Sequence, residues 1–403
     1  MLTGAVRAPP VRPETHRLRA ARCRVGPLLL GDLDSREAVD AVGQVAPWAR
    51  APPPPPLLCA ADASALLWSR AAGADSASVS LDLGRSSVDV SLSEDGATLA
   101  LATRPVFLSW TALKEVAEDS NGCWQLLGQD GDDVLSRLIR FSGTTDRPVS
   151  LLPPANGRGY PTALIAGFAM HRFGRGVTPE EDTARKLSAL LPLRPGARVL
   201  DICTGLGYTA IAAAERGCMV TTIELDEAMQ ELCGANPWSR LSAECTGSIT
   251  QLRGDAAALL LALPDRSFDR IMHDPPSAAL GATLFSAPFY AELARVLAPR
   301  GRLSHYTGDP ESAHGARVAK GVVKRLKEAG FESAVADGYS HCVLAAHQDH
   351  VRPARPPAGR KAVDQRGYGM KGRRGQTGSG RARDKRHAME EQDCEPFDGD
   401  EYE

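Results

Sequence analysis

Between residues 160 and 350, short apolar runs alternate with longer segments in which apolar residues recur every three or four positions. The short runs predict buried strands, and the longer segments predict helices with one apolar face. Strands that alternate with helices favour a parallel sheet with helices on both faces. The predicted elements are a helix over 179–191, strands over 199–202, 219–223 and 268–272, a helix over 289–297, a strand over 302–306, a helix over 316–329, and closing strands over 332–336 and 341–346.

Upstream of this region, apolar and polar residues alternate between 78 and 92. The alternation is interrupted by Gly84-Arg85-Ser86, which predicts a β-hairpin that turns there. Further strands are predicted over 99–102, 124–127 and 135–141, with a helix over 107–117. Prolines and a glycine between 153 and 157 then break the pattern. We therefore expect a small β-rich domain over 71–157 and a larger α/β domain over 158–350.

Composition permits this organisation. The 403 residues are 43% hydrophobic, which is enough for an ordinary core. The longest apolar run, 256–263, is much shorter than the roughly 18 residues of a membrane span, so we expect no contact with a membrane. None of the nine cysteines forms a CxxC pair, which gives no indication of a metal site.

Charge is segregated at the two ends of the chain. Six arginines and a single acid precede residue 31, a composition that resembles an organelle transit peptide for a chloroplast or mitochondrion. The alternative is a disordered extension over 1–70 with no targeting role in a cytoplasmic protein. Over 351–403 we expect a second disordered segment, in which 352–387 holds twelve basic residues and 390–403 holds eight acids. The basic stretch predicts a nonspecific contact with RNA phosphates.

The most informative motif runs from the first α/β strand into a glycine loop. Asp201 ends the strand, and Gly205-x-Gly207-x-x-Ala210 leads into an alanine-rich helix. Glu224 ends the second strand, where a carboxylate accepts hydrogen bonds from ribose hydroxyls. The loop alone also satisfies the dinucleotide fingerprint of a nicotinamide enzyme, so it does not decide between cofactors.

A second motif, Asp274-Pro275-Pro276, follows the strand predicted over 268–272, where open parallel sheets bind their ligands. With this motif, the chain resembles class I S-adenosylmethionine (SAM) methyltransferases, which have a Rossmann-like seven-stranded sheet. The resemblance implies SAM as cofactor, with Asp274, Pro275 and Pro276 as catalytic residues. It also implies a cofactor site whose candidate residues are Asp201, Thr204, Gly205, Gly207, Tyr208, Glu224 and Asp255. Asp255 is expected to accept the adenine amino group.

Residues 75–345 also resemble a family of predicted archaeal methyltransferases. The resemblance is carried by the DxCTGLGYT run at 201–209, NPWS at 236–239, HDPP at 273–276 and HYTG at 305–308. It implies methylation of a cytidine amino group in ribosomal RNA. An exocyclic amine is a poor nucleophile, so Asp274 and the Pro275 carbonyl would act by holding its nitrogen towards the methyl group. The base must be unpaired or flipped out of its stack.

The acceptor side is less well defined by the sequence. Candidate substrate-binding residues are His171, Arg172, His273, His305 and Tyr306. Base-amine methyltransferases usually have an aromatic residue after the two prolines, whereas this chain has Ser277. A stacking partner must therefore come from elsewhere, and the candidates are Tyr306, Phe285, Tyr290 and Tyr208.

Other functions remain compatible with these motifs. A small-molecule or protein N-methyltransferase would share the cofactor site and differ only in what Asp274 faces. A carbon methyltransferase that works through a cysteine adduct is disfavoured, since no Pro-Cys pair ends a strand. A non-catalytic RNA-binding assembly factor on the same fold is also disfavoured, because the motif acids are all present.

Overall fold

The computed structural model describes residues 54–101, 104–127, 135–172, 177–241, 247–348 and 351–353. The arginine-rich start and the charged tail after residue 353 lie outside the described residues, so their proposed roles stay predictions. In the described part of the chain, no helix is both long enough and apolar enough to cross a bilayer.

The first part of the described chain consists of short antiparallel strands and helices. The strands are β1 (Leu57–Cys59), β2 (Ser76–Val79), β3 (Val88–Leu92), β4 (Gly96–Ala100), β5 (Pro105–Ser109), β6 (Cys123–Leu126), β7 (Leu135–Arg137), β8 (Ile139–Ser142), β9 (Arg147–Leu152), β10 (Thr162–Ile165) and β11 (Phe168–Ala169). The helices are α1 (Ala60–Ala71) and α2 (Trp110–Glu118). The strands form sheets with the orders β1-β6-β7, β2-β3-β4-β5 and β11-β10-β9-β8.

Ordered structure begins earlier than the predicted boundary at residue 70. The segment assigned to a disordered extension contains β1 and α1, because the side chains of Leu58, Ala63 and Leu66 are buried in a common core with α2. The sequence pattern missed this packing because polar and small residues separate the apolar ones. The predicted division between residues 157 and 158 stays a prediction.

The helix predicted over 107–117 is another difference. Residues 105–109 form β5 instead, in which Val106 and Leu108 are buried and alternate with exposed neighbours. Helix α2 begins at Trp110, and the hydroxyl of Ser109 caps it by accepting a hydrogen bond from the amide of Ala112. The spacing of apolar residues therefore changes from the strand period of two to a helical period within five positions. A sequence prediction averaged over one longer window does not resolve this change.

The second part is a seven-stranded sheet with the order β14-β13-β12-β15-β16-β18-β17, which confirms the α/β fold predicted from the sequence. Its strands are β12 (Arg198–Ile202), β13 (Met219–Glu224), β14 (Ser248–Arg253), β15 (Phe268–His273), β16 (Leu297–Tyr306), β17 (Ser333–Asp337) and β18 (Cys342–Ala346). The first five pair in parallel, and β18 pairs antiparallel with both β16 and β17. The helices are α3 (Pro179–Ser188), α4 (Tyr208–Ala214), α5 (Glu227–Ala235), α6 (Ala256–Ala262), α7 (Ala287–Val296) and α8 (Ala313–Glu328).

Helix α3 is the helix that the sequence predicted ahead of the large sheet. Thr178 caps it by accepting a hydrogen bond from the amide of Glu181 at 3.2 Å, and Pro179 takes the first helical position. The helix buries one face that carries Thr183 and Leu187 but also the charged residues Asp182 and Lys186. A buried lysine and aspartate one turn apart require partners, which the large sheet supplies.

The two parts of the chain share a continuous apolar core. Leu57, Leu83 and Leu151 from the first part form one buried cluster with Leu206 and Tyr208 of the glycine loop region. The β-rich part is therefore packed directly against the loop that the sequence assigned to the cofactor.

Candidate active site

The candidate site lies at the topological switch point of the large sheet, where the strand order reverses. Strands β12 and β15 are neighbours, with Ile202 paired to His273, although β13 and β14 intervene along the chain. The amide of Asp274 donates to the carbonyl of Ile202 at 3.2 Å. Ligands of open parallel sheets bind at such a switch point, beyond the carboxyl ends of the strands. The glycine loop and the Asp274 motif are thus brought side by side.

The glycine loop follows β12 as a run of unusual backbone conformations. Cys203, Gly205 and Gly207 have φ values of 68°, 55° and 75°. The amides of Cys203 and Thr204 both donate to the carbonyl of Ile223 at 3.0 Å, which fixes the loop to the end of β13. A non-glycine residue in the left-handed region is uncommon, and such strain is concentrated at functional sites. These hydrogen bonds hold the loop in its conformation. A side chain at Gly207 would disturb it, since its Cβ would lie 2.7 Å from Leu241.

Asp201 is buried and accepts hydrogen bonds from two hydroxyl groups. Thr209 Oγ1 donates to one carboxylate oxygen at 2.7 Å, and Thr222 Oγ1 donates to the other at 2.6 Å. Burial raises the pKa of Asp201 to about 6, although both hydroxyl groups oppose the increase. Thr204 Oγ1 lies 2.6 Å from Thr222 Oγ1 and so belongs to the same hydrogen-bonded group.

Glu224 is also buried, and its partners are backbone amides. Gly205 N donates to Oε2 and Asp226 N donates to Oε1, both at 2.9 Å. Burial raises the pKa of Glu224 to about 7, against the effect of these amides. The acid predicted for the ribose therefore also holds the glycine loop in place. Asp255 is exposed and caps α6 by accepting from the amide of Ala257 at 2.9 Å.

These acids and Asp274 all affect a single thiol, that of Cys203. Burial is the main reason that the pKa of Cys203 is raised well above its usual range, and the carboxylates of Glu224, Asp274, Asp201 and Asp255 add to the increase. Four acids from distant positions of the sequence thus act on one loop. The thiol is not an activated nucleophile, because a thiolate would be repelled by these charges.

Asp274 is held by a lysine that the sequence did not identify. Lys186 of α3 is 1% exposed, and its Nζ donates to Asp274 Oδ2 at 2.7 Å. The same Nζ lies 3.2 Å from Asp182 Oδ2, and Asp182 also forms an ion pair with Arg172. The pKa of Asp274 is raised by burial and lowered by Lys186, with burial the larger effect. Within the described residues, Asp274 Oδ1 accepts no hydrogen bond, and the side chain remains 21% exposed.

Tyr306 is the stacking candidate that shares Lys186 with Asp274. Its ring centroid is 4.3 Å from Lys186 Nζ, and the residue is only partly buried. Burial raises the pKa of Tyr306 to about 12, so its hydroxyl is neutral. The other stacking candidates are less well placed. Tyr290 is fully buried, Tyr208 is 3% exposed, and Phe285 packs against histidine rings.

The three candidate histidines are buried side chains in this structure. His171 Nδ1 lies 2.9 Å from Thr162 Oγ1, and its ring stacks on Tyr208. His273 and His305 are unexposed, with ring centroids 4.2 Å apart, and Tyr290 OH lies 2.9 Å from His305 Nε2. Burial lowers the pKa of His171 and of His305 to about 3, and it lowers the pKa of His273 well below its usual value. All three are therefore neutral.

Sequence reasoning missed Asp182 and Lys186, although it predicted their helix. They lie at positions i and i+4 of α3, among the buried residues Thr183 and Leu187. A pair of opposite charges inside an apolar stripe was the available signal. Arg172, which the sequence did propose, is 15% exposed and joins the same group through Asp182.

Known proteins share sequence with the part of the chain that forms this site. The family described as "Methyltransferase domain" matches residues 200–304. The uncharacterized protein MJ1233 of Methanocaldococcus jannaschii is 39% identical over 225 residues, which cover 56% of this chain and 73% of that protein. Polyamine aminopropyltransferase 2 of Streptomyces coelicolor is 34% identical over 121 residues, covering 28% of this chain and 22% of that protein. A solved spermidine synthase in complex with the transition-state analogue AdoDATO is similar with a TM-score of 0.42 and 17% identity, covering 56% of this chain and 83% of that one.

Proposed function

The chain belongs to the same family as MJ1233 and is a SAM-dependent methyltransferase, and on that premise we propose that it methylates the exocyclic amine of a cytidine in ribosomal or other structured RNA. The cofactor and the enzyme class predicted from the sequence are confirmed. The acceptor, and the roles of the individual residues, belong to the proposal.

The residues of the site fit SAM. Carboxylates only accept hydrogen bonds, and SAM offers donors or positive charge in each of its parts: the ammonium group, the ribose hydroxyls, the adenine amine and the sulfonium. Asp201, Glu224 and Asp255 lie in the order in which the first three would meet them, around a loop of Thr204, Gly205, Gly207 and Tyr208. The bound cofactor supplies an electrophilic methyl group.

The observation that carries the proposal is that Asp274 and Tyr306 both contact the ammonium group of Lys186. Lys186 occupies Oδ2 of Asp274 and leaves Oδ1 for an acceptor, while the same Nζ lies 4.3 Å from the Tyr306 ring centroid. A carboxylate oxygen beside an aromatic face suits a flat ring that carries an amine. Asp274 Oδ1 would accept one amine hydrogen and the Pro275 carbonyl a second, which directs the nitrogen lone pair to the methyl group.

Tyr306 supplies what the sequence lacks after the two prolines. Ser277 is exposed and small, so it cannot stack on a base. A base flipped from its stack requires an aromatic or apolar partner, and base stacking on an aromatic side chain contributes about 1–3 kcal/mol. Tyr306 ends β16, the strand next to β15, so its ring can serve from the neighbouring strand.

RNA is the proposed partner because of the basic stretch over 352–387, whose twelve positive charges suit phosphates. The arginine-rich start suits an organelle, a chloroplast or mitochondrion, where ribosomal RNA would be the substrate. Both features lie outside the described residues, apart from Arg352, and the role of the basic stretch is tested below.

A second candidate acceptor is a small-molecule amine. The Streptomyces relative carries the name of an enzyme that acts on polyamines, and it shares sequence with this chain over 121 residues. An enzyme of this kind would keep the cofactor site and would receive a cationic amine at Asp274.

The test is to incubate the purified protein with methyl-labelled SAM and a lysate from cells that lack it, and then to separate RNA, protein and small molecules. We expect the label in ribosomal RNA, as a methylated cytidine after digestion. Label in polyamines or in protein would overturn the RNA assignment.

Asp274→Ala is the variant that tests the acceptor carboxylate in this assay. Asp265→Asn is its matched control, because Asp265 is an exposed acid near the opposite end of β15. Deletion of 352–403 should weaken RNA binding and flatten its salt dependence.

A further inference from the structure

Four charged side chains form a continuous, largely buried chain from Arg172, through α3, to the acceptor side of the site. Arg172 bonds Asp182, Asp182 contacts Lys186, and Lys186 bonds Asp274. Asp182 is unexposed and Lys186 is 1% exposed, whereas Asp274 reaches the surface of the site. The chain therefore ends at the carboxylate that the proposed reaction uses.

Lys186 stays charged in this position. Burial by itself lowers the pKa of a lysine, but the carboxylates of Asp274 and Asp182 more than offset that effect and hold its pKa above the usual range. The pKa of Asp182 is lowered, because Lys186 and Arg172 outweigh its burial. The positive charges of Arg172 and Lys186 then balance the negative charges of Asp182 and Asp274.

The groups that face this chain do not change its balance. His171, His341 and Tyr306 are neutral at physiological pH, because burial lowers the pKa of both histidines and raises that of the tyrosine. Asp201 interacts with Asp274 and Lys186, and bound SAM would bring the positive charge of its ammonium and sulfonium groups to this side of the site. A cationic acceptor would therefore meet no unpaired carboxylate and would lie close to a sulfonium, whereas a neutral amine needs only Oδ1 of Asp274.

We infer that Lys186 is a specificity-determining and positioning residue: it neutralises Asp274, so the site takes an uncharged amine such as that of a nucleobase and rejects alkylammonium ions such as polyamines. The inference rests on the proposed function, in that Asp274 is taken as the acceptor carboxylate. Lys186 does not touch the reacting atoms. It acts by fixing Oδ2 of Asp274, which leaves Oδ1 in one orientation.

The experiment uses Lys186→Met and Lys186→Gln in the full chain. Glutamine can donate a hydrogen bond to Asp274 but carries no charge, so it separates orientation from neutralisation. Arg185→Met is the matched control, because Arg185 also lies on α3 and carries the same charge but contacts the Tyr339 ring. Propylammonium chloride is the cationic probe, compared with sodium chloride at equal ionic strength.

Two quantities are measured: the rise in unfolding temperature that propylammonium causes, and kcat and KM for methyl transfer to RNA. We expect both Lys186 variants to bind propylammonium about tenfold more tightly than the wild type, because each leaves one carboxylate unpaired. The glutamine variant should lose less kcat than the methionine variant. Arg185→Met should behave like the wild type in both measurements. Addition of Asp274→Asn to Lys186→Gln should abolish the new binding.

Equal propylammonium binding in the wild type and both Lys186 variants would overturn the inference. If the methionine variant does not fold, the glutamine variant and the wild type decide, since competitive inhibition of the wild type by propylammonium would contradict a neutral site. Failure of the proposed function would give another result: the wild type would transfer no labelled methyl group to RNA, and neither would the Lys186 variants.

Discussion

The cofactor side and the acceptor side of the site both contain buried carboxylates, but their partners differ in kind. Asp201 and Glu224 are held by hydroxyl groups and backbone amides, which are neutral donors, and burial raises their pKa values to about 6 and about 7. Asp182 and Asp274 are held by the full charges of Arg172 and Lys186. Carboxylates without a counter-ion suit a cofactor that brings positive charge. Carboxylates that already have one suit a neutral acceptor.

Removal of the acceptor carboxylate is the strongest test of this difference. Asp274→Ala should lower kcat for transfer by about 10²–10³-fold, since it removes a preorganised orienting group. SAM affinity should survive, because Asp201, Glu224 and Asp255 are unchanged. Single-turnover transfer and calorimetric SAM binding measure the two effects. A variant that transfers methyl at the wild-type rate would remove Asp274 from the mechanism.

Loss of the counter-ion should affect stability more than any other change on the acceptor side. Lys186→Met leaves Asp182 and Asp274 without their shared partner, and breaking a buried ion pair costs about 3–5 kcal/mol of unfolding free energy. Denaturant unfolding measures the change. A loss below about 1 kcal/mol, the value of an exposed pair, would show that Lys186 is not held as described.

On the cofactor side, stability should depend on pH through Glu224. Its folded pKa of about 7 lies above the usual 4.5, so the folded state favours the protonated form. The stabilisation is complete below about pH 4.5 and is lost as pH rises towards 7, with a total near 3 kcal/mol if each unit contributes ~1.36 kcal/mol. Glu224→Gln should lack this loss. Unfolding free energies of both proteins between pH 4.5 and 7.5 test it, and parallel curves would contradict it.

Loss of an exposed ion pair should have the smallest effect on the unfolding free energy, and it serves as a reference for the buried pair. Arg140 and Glu231 form a bridge between β8 and α5, with side chains 31% and 53% exposed. Arg140→Gln should cost less than about 1 kcal/mol, because solvent screens the pair. High salt should reduce the difference from the wild type, whereas it should leave the Lys186→Met difference nearly unchanged. An equal response of both variants to salt would refute the distinction between the two.

The cofactor side was predictable because its residues are close in sequence. Asp201, Gly205 and Gly207 fall within seven positions, and Glu224 ends the very next strand. The predicted strands of the large sheet agree with the structure to within a few residues, except that β16 begins at Leu297 rather than near residue 302. The acceptor side was predicted only as Asp274 and a set of alternatives. The three histidines among them turned out to be buried and neutral, while Tyr306 lies at the site.

The sequence by itself determined the α/β fold, the cofactor, and the identity of the motif acids, because strand periodicity and a glycine loop are local properties of a chain. Only the tertiary structure decided which counter-ion pairs with the acceptor carboxylate. Lys186 and Asp274 are 88 positions apart, and their contact depends on the packing of α3 against the carboxyl end of β15. A buried charge is stabilised only by a partner in space, and no local pattern specifies which distant residue that partner is.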